Sequence, residues 1–412
     1  MLNIFTNSLG FLFLLALLTG CHSEEEDHIR YFEQNATGTL TTFQAVMFQE
    51  SYTTFDPLKS ETVHERFKMV HLSDPHLSDW TADNHYTKPI NLMEAVELAN
   101  LPDMRINAMV ATGDLIANTT ETTALDASLY LSGFNTCFYS ANQIPSFFCT
   151  GNHDANMLTD HTSYYLSKQD LHRLLFAKTN YPIHQPAGEN YFYADIPNPM
   201  GGTIRIISLD NTDQEGFDYK SLNRSCITQQ QVDWFIQTAL RENMTDQYSV
   251  IVLNHHPLQP FSKDLSTYMC SGTHLYGARL IPDIVNAFIQ KKTWKQTYKT
   301  NTAPSQTLSV EADFTDVPGE FICYMGGHAH TPAHFEVPCN DATPAKQIML
   351  LANTLSPDLQ NNTYCYIKRK KDDITSNSFS IYAIDTQEKN IYITYFGAKS
   401  NATPTIETVS YR

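Results

Sequence analysis

Five apolar runs in this chain end in residues able to bind metal, and that pattern constrains the fold more than any bulk property does. MVHLSDPH runs into Asp74 and His76, MVATGD into Asp114, and FFCTGNHD into Asn152, His153 and Asp154. VIVLNHH runs into His255 and His256, and ICYMGGHAH into His328 and His330. Short apolar runs of this kind read as buried strands. Ligands at strand ends can converge on one rim of a sheet, each aimed by a rigid element. Singly, each ending is more often structural than functional, since Asp-x-His arises by chance and Gly-Asp is a common turn. Five in one order, each behind a strand, point to a single site. Gly113, Gly151, Gly326 and Gly327 fit sharp exits where the backbone passes close to a bound ion.

The remaining elements follow the same reading. Strands are expected at 67–74, 106–114, 144–152, 190–196, 203–210, 248–254 and 320–327. Helical patterns lie between them at 90–101, 124–134 and 228–243, the last opened by a capping box of Thr228 and Gln231. After Gly327 the pattern changes to strands alone, at 334–339, 346–354, 378–386 and 390–398, joined by hairpin-like turns. The expected class is α/β, with two packed β-sheets flanked by helices. Residues 66–340 form the core, and the strands of 341–412 complete the same domain. Two long connections, 157–189 and 258–318, are expected to carry function.

Residues 1–20 carry no charged side chain and hold an apolar stretch too short to span a bilayer, so they read as a cleaved signal peptide. The usual Lys or Arg near the start is missing. The junction Leu18-Thr19-Gly20-Cys21 resembles the lipobox of bacterial lipoproteins, which implies acyl chains on Cys21 and a membrane anchor. The expected location is the bacterial cell envelope or periplasm; with a plain signal peptide, the protein would be secreted. Residues 21–65 then form a polar tether.

Charge and cysteine usage exclude some classes. The net charge is −17, from 27 basic and 44 acidic residues, and the one basic run, KRKK at 368–371, is followed at once by Asp372 and Asp373. No stripe suits a polyanion, so stable nucleic-acid binding is not expected. The eight cysteines include no C-x-x-C pair, which rules out zinc-finger and thioredoxin readings. Cys149 and Cys323 sit inside apolar runs and read as core.

Taken together, D-x-H, G-D, G-N-H-D, a His after a strand and G-H-x-H resemble the calcineurin-like metallophosphoesterase superfamily over about residues 66–340. The resemblance implies two metal ions. One would take Asp74, His76 and His330; the second would take Asn152, His255 and His328; Asp114 would bridge them. His256 would line the pocket, His153 would face the scissile phosphoester as a charge stabiliser or proton donor, and Asp154 would orient it. Imidazole and carboxylate ligands without thiolate suit Fe, Mn or Zn. Two such ions lower the pKa of a water and neutralise phosphoryl oxygens, so hydrolysis needs no basic side chain as nucleophile. The implied activity is hydrolysis of a small phosphomonoester or phosphodiester. The alternative is a binding lipoprotein that keeps the fold without turnover, which offers no chemical reason to keep Asp74, Asn152 and His153 together. One departure stands out: the G-D block continues GDLIAN, placing Ala117 and Asn118 where many relatives have another acidic residue.

Overall fold

Strand β1 (Phe67–Leu72) is buried at every position, including Lys68 and His71. Its alternate side chains feed two different cores. Phe67 and Met69 face one layer, whereas Val70 and Leu72 face another. A strand covered on both faces has no polar side, which is why the sequence shows a continuous apolar run there instead of an alternation. The structure is a computed structural model. It describes residues 65–78, 87–140, 142–157, 162–210, 213, 226–259, 279–299, 307–355, 374–398 and 406–412.

Two six-stranded mixed sheets pack face to face. The first comprises β1, β2 (Ala108–Thr112), β3 (Ser146–Cys149), β12 (Ser378–Asp385), β13 (Asn390–Gly397) and β14 (Ile406–Ser410), in the order β14-β13-β12-β1-β2-β3. The second comprises β4 (Phe192–Pro197), β5 (Thr203–Ser208), β6 (Tyr248–Leu253), β9 (Glu320–Gly326), β10 (Ala333–Glu336) and β11 (Ile348–Leu351), in the order β10-β11-β9-β6-β5-β4. The five strands that precede the metal-seeking residues are mutually parallel within their sheets, β1-β2-β3 in one, with β3 at its edge, and β6-β9 in the other. Parallel strands end on one side, so their exits share a rim.

The layer between the sheets is built from Met69, Val110, Phe147, Ile206, Ile251, Leu253, Cys323 and Met325, among others. Helices α1 (Thr87–Ala99), α2 (Ala124–Tyr139) and α3 (Lys168–Leu175) cover the outer face of the first sheet. Helices α4 (Gln229–Trp234) and α5 (Leu280–Gln290) cover the second. No helix among the described residues is long and apolar enough to cross a membrane.

Several expectations are corrected here. The stretch 258–318 is not a bare connection, since it contains α5 and an antiparallel ribbon of β7 (Thr293–Lys299) and β8 (Thr307–Asp313). The ribbon alternates buried and exposed residues and lays Tyr298, Leu308, Val310 and Ala312 on the second core. The late strands are not one run of hairpins. β11 runs parallel to β9, whereas β12 inserts beside β1, about three hundred residues away in sequence, and among the described connections β12-β13 is the tight hairpin. The helix expected over 228–243 becomes one π-turn after Trp234, and its capping box is half made. Thr228 accepts from the Gln231 N–H, but the Gln231 side chain turns to the Asp210 backbone. A complete capping box is found instead at Thr123 and Asp126, opening α2. Cys149 and Cys323 are core residues as expected, and the five described cysteines are free thiols. Cys21, Cys270, Cys365, KRKK and the whole of 1–64 lie outside the described residues.

Candidate metal centre

The exits of five strands bring the ten residues singled out in the sequence to the rim. Backbone bonds tie the exits together before any side chain is considered. Asp74 N–H donates to Gly113 O at 3.0 Å, His76 N–H to Asp114 O at 3.1 Å, and Gly327 N–H to His255 O at 2.9 Å. The first sheet thus supplies Asp74, His76, Asp114, Asn152, His153 and Asp154, and the second supplies His255, His256, His328 and His330.

Ten non-glycine residues among those described have left-handed backbones, and half of them are here: Asp74, His76, Asp114, His328 and His330, with φ between 48° and 64°. A left-handed backbone costs a side-chain-bearing residue about 1–2 kcal/mol. Such a concentration at one rim marks a place where geometry overrides local preference. The glycines make the room. A Cβ on Gly151 would collide with the Asp114 backbone N and carboxylate, and a Cβ on Gly327 would collide with Ser73 Oγ and the Asp74 carboxylate.

The side chains form two groups. In the first, His330 Nε2 lies 3.1 Å from Asp74 Oδ1 and 3.1 Å from His76 Nε2, with Asp114 completing the cluster. In the second, the ligand atoms of His255, His256 and His328 lie within 4.8 Å of one another, and Asn152 Oδ1 is 3.2 Å from His255 Nε2. Asp114 Oδ2 stands between the groups, 3.3 Å from His255 Nε2 and 4.0 Å from His76 Nε2. His256 is as buried as His255 and packs against His328 at 4.4 Å between ring centroids. It belongs to the second cluster more intimately than a pocket-lining residue would.

Electrostatics fit a cation. Burial pushes His76 and His328 down to about 3, so both rings are neutral, the form that ligates metal. Burial opposes charge at His255 too, but Asp114 and Asp74 outweigh it and hold that ring up to about 9. Burial likewise opposes charge on both carboxylates. His330 nevertheless holds Asp74 at about 2, and His255 and His153 hold Asp114 well below the usual carboxylate range. Two buried carboxylates flanked by the neutral rings of His76 and His328 call for positive charge beyond that of His255. Among the described residues His328 Nε2 is moreover buried with no hydrogen-bond partner, a costly arrangement that a metal bond would satisfy. The donor set therefore fits divalent or trivalent ions held by nitrogen and oxygen.

His153 sits at the edge of this centre. Its N–H donates to Asp114 Oδ1 at 2.9 Å, its ring Nε2 is 3.8 Å from Asp114 Oδ2, and burial lowers its pKa. The expectation that Asp154 orients it is not met. Asp154 accepts from the backbone N–H groups of Gly151 (2.7 Å), Leu115 (2.7 Å) and Ile116 (3.3 Å), stapling the exits of β2 and β3. Burial first, and the Asp114 carboxylate second, push its pKa up to about 8 against those three donors. The partner of His153 is Asn118, whose Oδ1 lies 2.7 Å from His153 Nδ1. Sequence reading marked Asn118 only as a departure and gave it no place at the site. Ser73, whose Oγ donates to Asp74 Oδ2 at 2.6 Å, was missed as well, because a lone serine at a strand end carries no signal. Asp210 is buried and accepts from Thr150 Oγ1 at 2.5 Å, next to Gly151.

Comparison with known proteins places this geometry. No curated protein matches the chain. Among solved structures, one described as "Structure of PhoD" is similar at 8% identity, covering 84% of this chain and 72% of that one, with a TM-score of 0.42. The family assignment does not rest on that likeness. The family profile described as calcineurin-like phosphoesterase matches residues 67–288. The match stops short of the 340 expected from the motifs, so His328 and His330 are joined to the site by geometry. The stretch matched is more than half of the 412 residues and contains four of the five strand-end blocks, so the chain belongs to the calcineurin-like phosphoesterases.

Proposed function

We propose that the protein hydrolyses a small phosphomonoester or phosphodiester with the help of two metal ions, drawn from Fe, Mn and Zn. Asp74, His76 and His330 would hold one ion and Asn152, His255 and His328 the other, with Asp114 shared. The observation that carries this reading is the position of Asp114 Oδ2 within 4.0 Å of imidazole nitrogens from both groups. When bound, two such ions supply a nucleophilic water at neutral pH and offset the phosphoryl charge. The chain's own residues do the rest. The left-handed exits aim the ligands, and His153, at the partly exposed edge, gives the proton that the leaving oxygen takes as the P–O bond breaks. The net charge of −17 favours a small substrate over a long polyanion. We further propose attachment to a membrane through lipidated Cys21, which is supported by the sequence alone.

Metal analysis after reconstitution with each ion, followed by a panel of nitrophenyl phosphate mono- and diesters, tests the reading. Two metals per chain and metal-dependent release of nitrophenolate are expected. Metal binding without turnover of any ester would leave a binding protein of the same fold, and no metal at all would remove the proposal.

A further inference from the structure

The orientation of His153 is fixed by a relay of amides, and the relay also determines which of its nitrogens carries the permanent proton. Asn156 is fully buried, and its Nδ2 points at three backbone carbonyls: Thr122 (2.9 Å), Thr123 (3.3 Å) and Tyr164 (3.0 Å). Carbonyl oxygens can only accept, so the amide nitrogen of Asn156 is unambiguous and its Oδ1 must face the other way. There it meets Asn118 Nδ2 at 2.9 Å. That same Nδ2 lies 3.2 Å from the His153 carbonyl, a second obligate acceptor. Both contacts assign the Asn118 nitrogen, and its Oδ1 is left facing His153 Nδ1 at 2.7 Å. An amide oxygen cannot donate. The ring must donate, from Nδ1.

We propose that Asn118 is a positioning residue that locks His153 in its Nδ1–H form, so that Nε2 alone faces the centre and handles the proton of the leaving group. The inference rests on the reading of His153 as proton donor. An uncharged amide in this place holds the ring without adding an anion next to Asp114, whose Oδ2 is already 3.8 Å from Nε2. Nε2 first takes a proton from solvent, giving the doubly protonated ring, and passes that proton to the leaving oxygen as the P–O bond breaks, which returns the ring to the Nδ1–H form. Nδ1 keeps its own proton throughout and donates it in the hydrogen bond to Asn118 Oδ1. Asn156, held by three carbonyls in a left-handed backbone (φ 56°), is the fixed end of the relay.

The test is carried out on the full chain with 15N-labelled histidine, in zinc-loaded and metal-free form. The His153 signals are identified by their loss in His153→Gln. Wild type is expected to show a protonated Nδ1. In Asn118→Leu, which is close in shape but has no acceptor, the ring should relax toward the Nε2–H form that free histidine prefers. Asn118→Asp keeps the oxygen and loses the amide donor, so it should keep the Nδ1–H form. In kinetics, Asn118→Leu should lower kcat/KM for an alkyl phosphoester by roughly 10–100-fold, the usual cost of losing an outer partner, and for a nitrophenyl ester by less. Asn118→Asp should keep most of the alkyl-ester rate. An unchanged tautomer in Asn118→Leu overturns the proposal. So does an equal fall in Asn118→Leu and Asn118→Asp, which would assign Asn118 to holding the 152–157 turn alone. If wild type turns over neither ester, the hydrolytic reading fails, while the ring signals still decide the tautomer.

Discussion

His328 and His330 leave the same strand two residues apart, yet their rings enter different surroundings. His328 joins His255 and His256 in a group that is almost wholly buried, whereas His330 joins Asp74 and His76 at the open side of the rim. The His255 side chain is 0% exposed, against 12% for His76, 21% for His330 and 23% for His153. The sealed group lies where β6 and β9 of the second sheet meet the exits of the first, and the open group lies beside α1. The difference indicates the side from which a substrate arrives. Under the proposed function, substrate would approach over the group that contains His76 and His330, with His153 alongside. His328 and His330 both have left-handed backbones in the turn after β9, and this one turn feeds both groups.

The largest expected effect tests the residue common to both groups. Asp114→Asn keeps the shape but removes the shared charge, so at least one metal should be lost. Hydrolysis should fall by more than the roughly 10–100-fold that an outer partner costs. Two metals with near-normal turnover, measured by elemental analysis and ester hydrolysis, would break the assignment of Asp114 between the groups.

A fall of about a hundredfold or more is expected for His153→Ala on an alkyl ester if its proton matters to the leaving group. The loss should be smaller on a nitrophenyl ester, whose anion leaves without a proton, and both metals should stay. Loss of metal to the same degree as in His255→Ala would move His153 into the ligand set.

Gly327→Ala pushes a methyl group into Ser73 Oγ and the Asp74 carboxylate. Activity should drop roughly 10–100-fold through displacement of Asp74, and stability should drop by about 1–3 kcal/mol, read by metal titration and denaturant melts. Unaltered activity would mean that the open group tolerates movement of Asp74.

Chelation compares the groups directly. The open group should release its ion first, at a rate at least about tenfold faster than the sealed one, a barrier difference of ~1.4 kcal/mol. A single release phase for both ions would dissolve the distinction drawn from burial. The smallest effect on activity belongs to Cys21→Ala, which should release the protein from membranes and leave kcat/KM unchanged. Retention on membranes after a carbonate wash would remove the lipid anchor.

Much of this site could be read without coordinates, and the reason is local. A strand covered on both faces needs a continuous apolar run, and its exit needs glycine and a short polar residue. MVATGD and ICYMGGHAH therefore carry both the element and its ending in a few consecutive positions. What could not be read depends on residues far apart in the chain. Asp154 has the composition of a partner for the adjacent His153, and only the approach of the Leu115 and Ile116 N–H groups turns it away. Asn118 has the composition of a turn residue, and only the buried amide of Asn156 directs its oxygen at the imidazole.

The sequence alone determined the strands that run into metal-seeking residues, those endings, and the sandwich class. It could do so because each is set by burial periodicity and by side-chain chemistry within one segment. Tertiary structure alone decided that β12 would insert beside β1, that His328 and His330 would part into a sealed and an open group, and that Asn118 would hold His153. Each of these is fixed by strand pairing and hydrogen bonds between segments up to about three hundred residues apart. Pairing over such distances is chosen by the packing of the whole core, which no single stretch of sequence encodes.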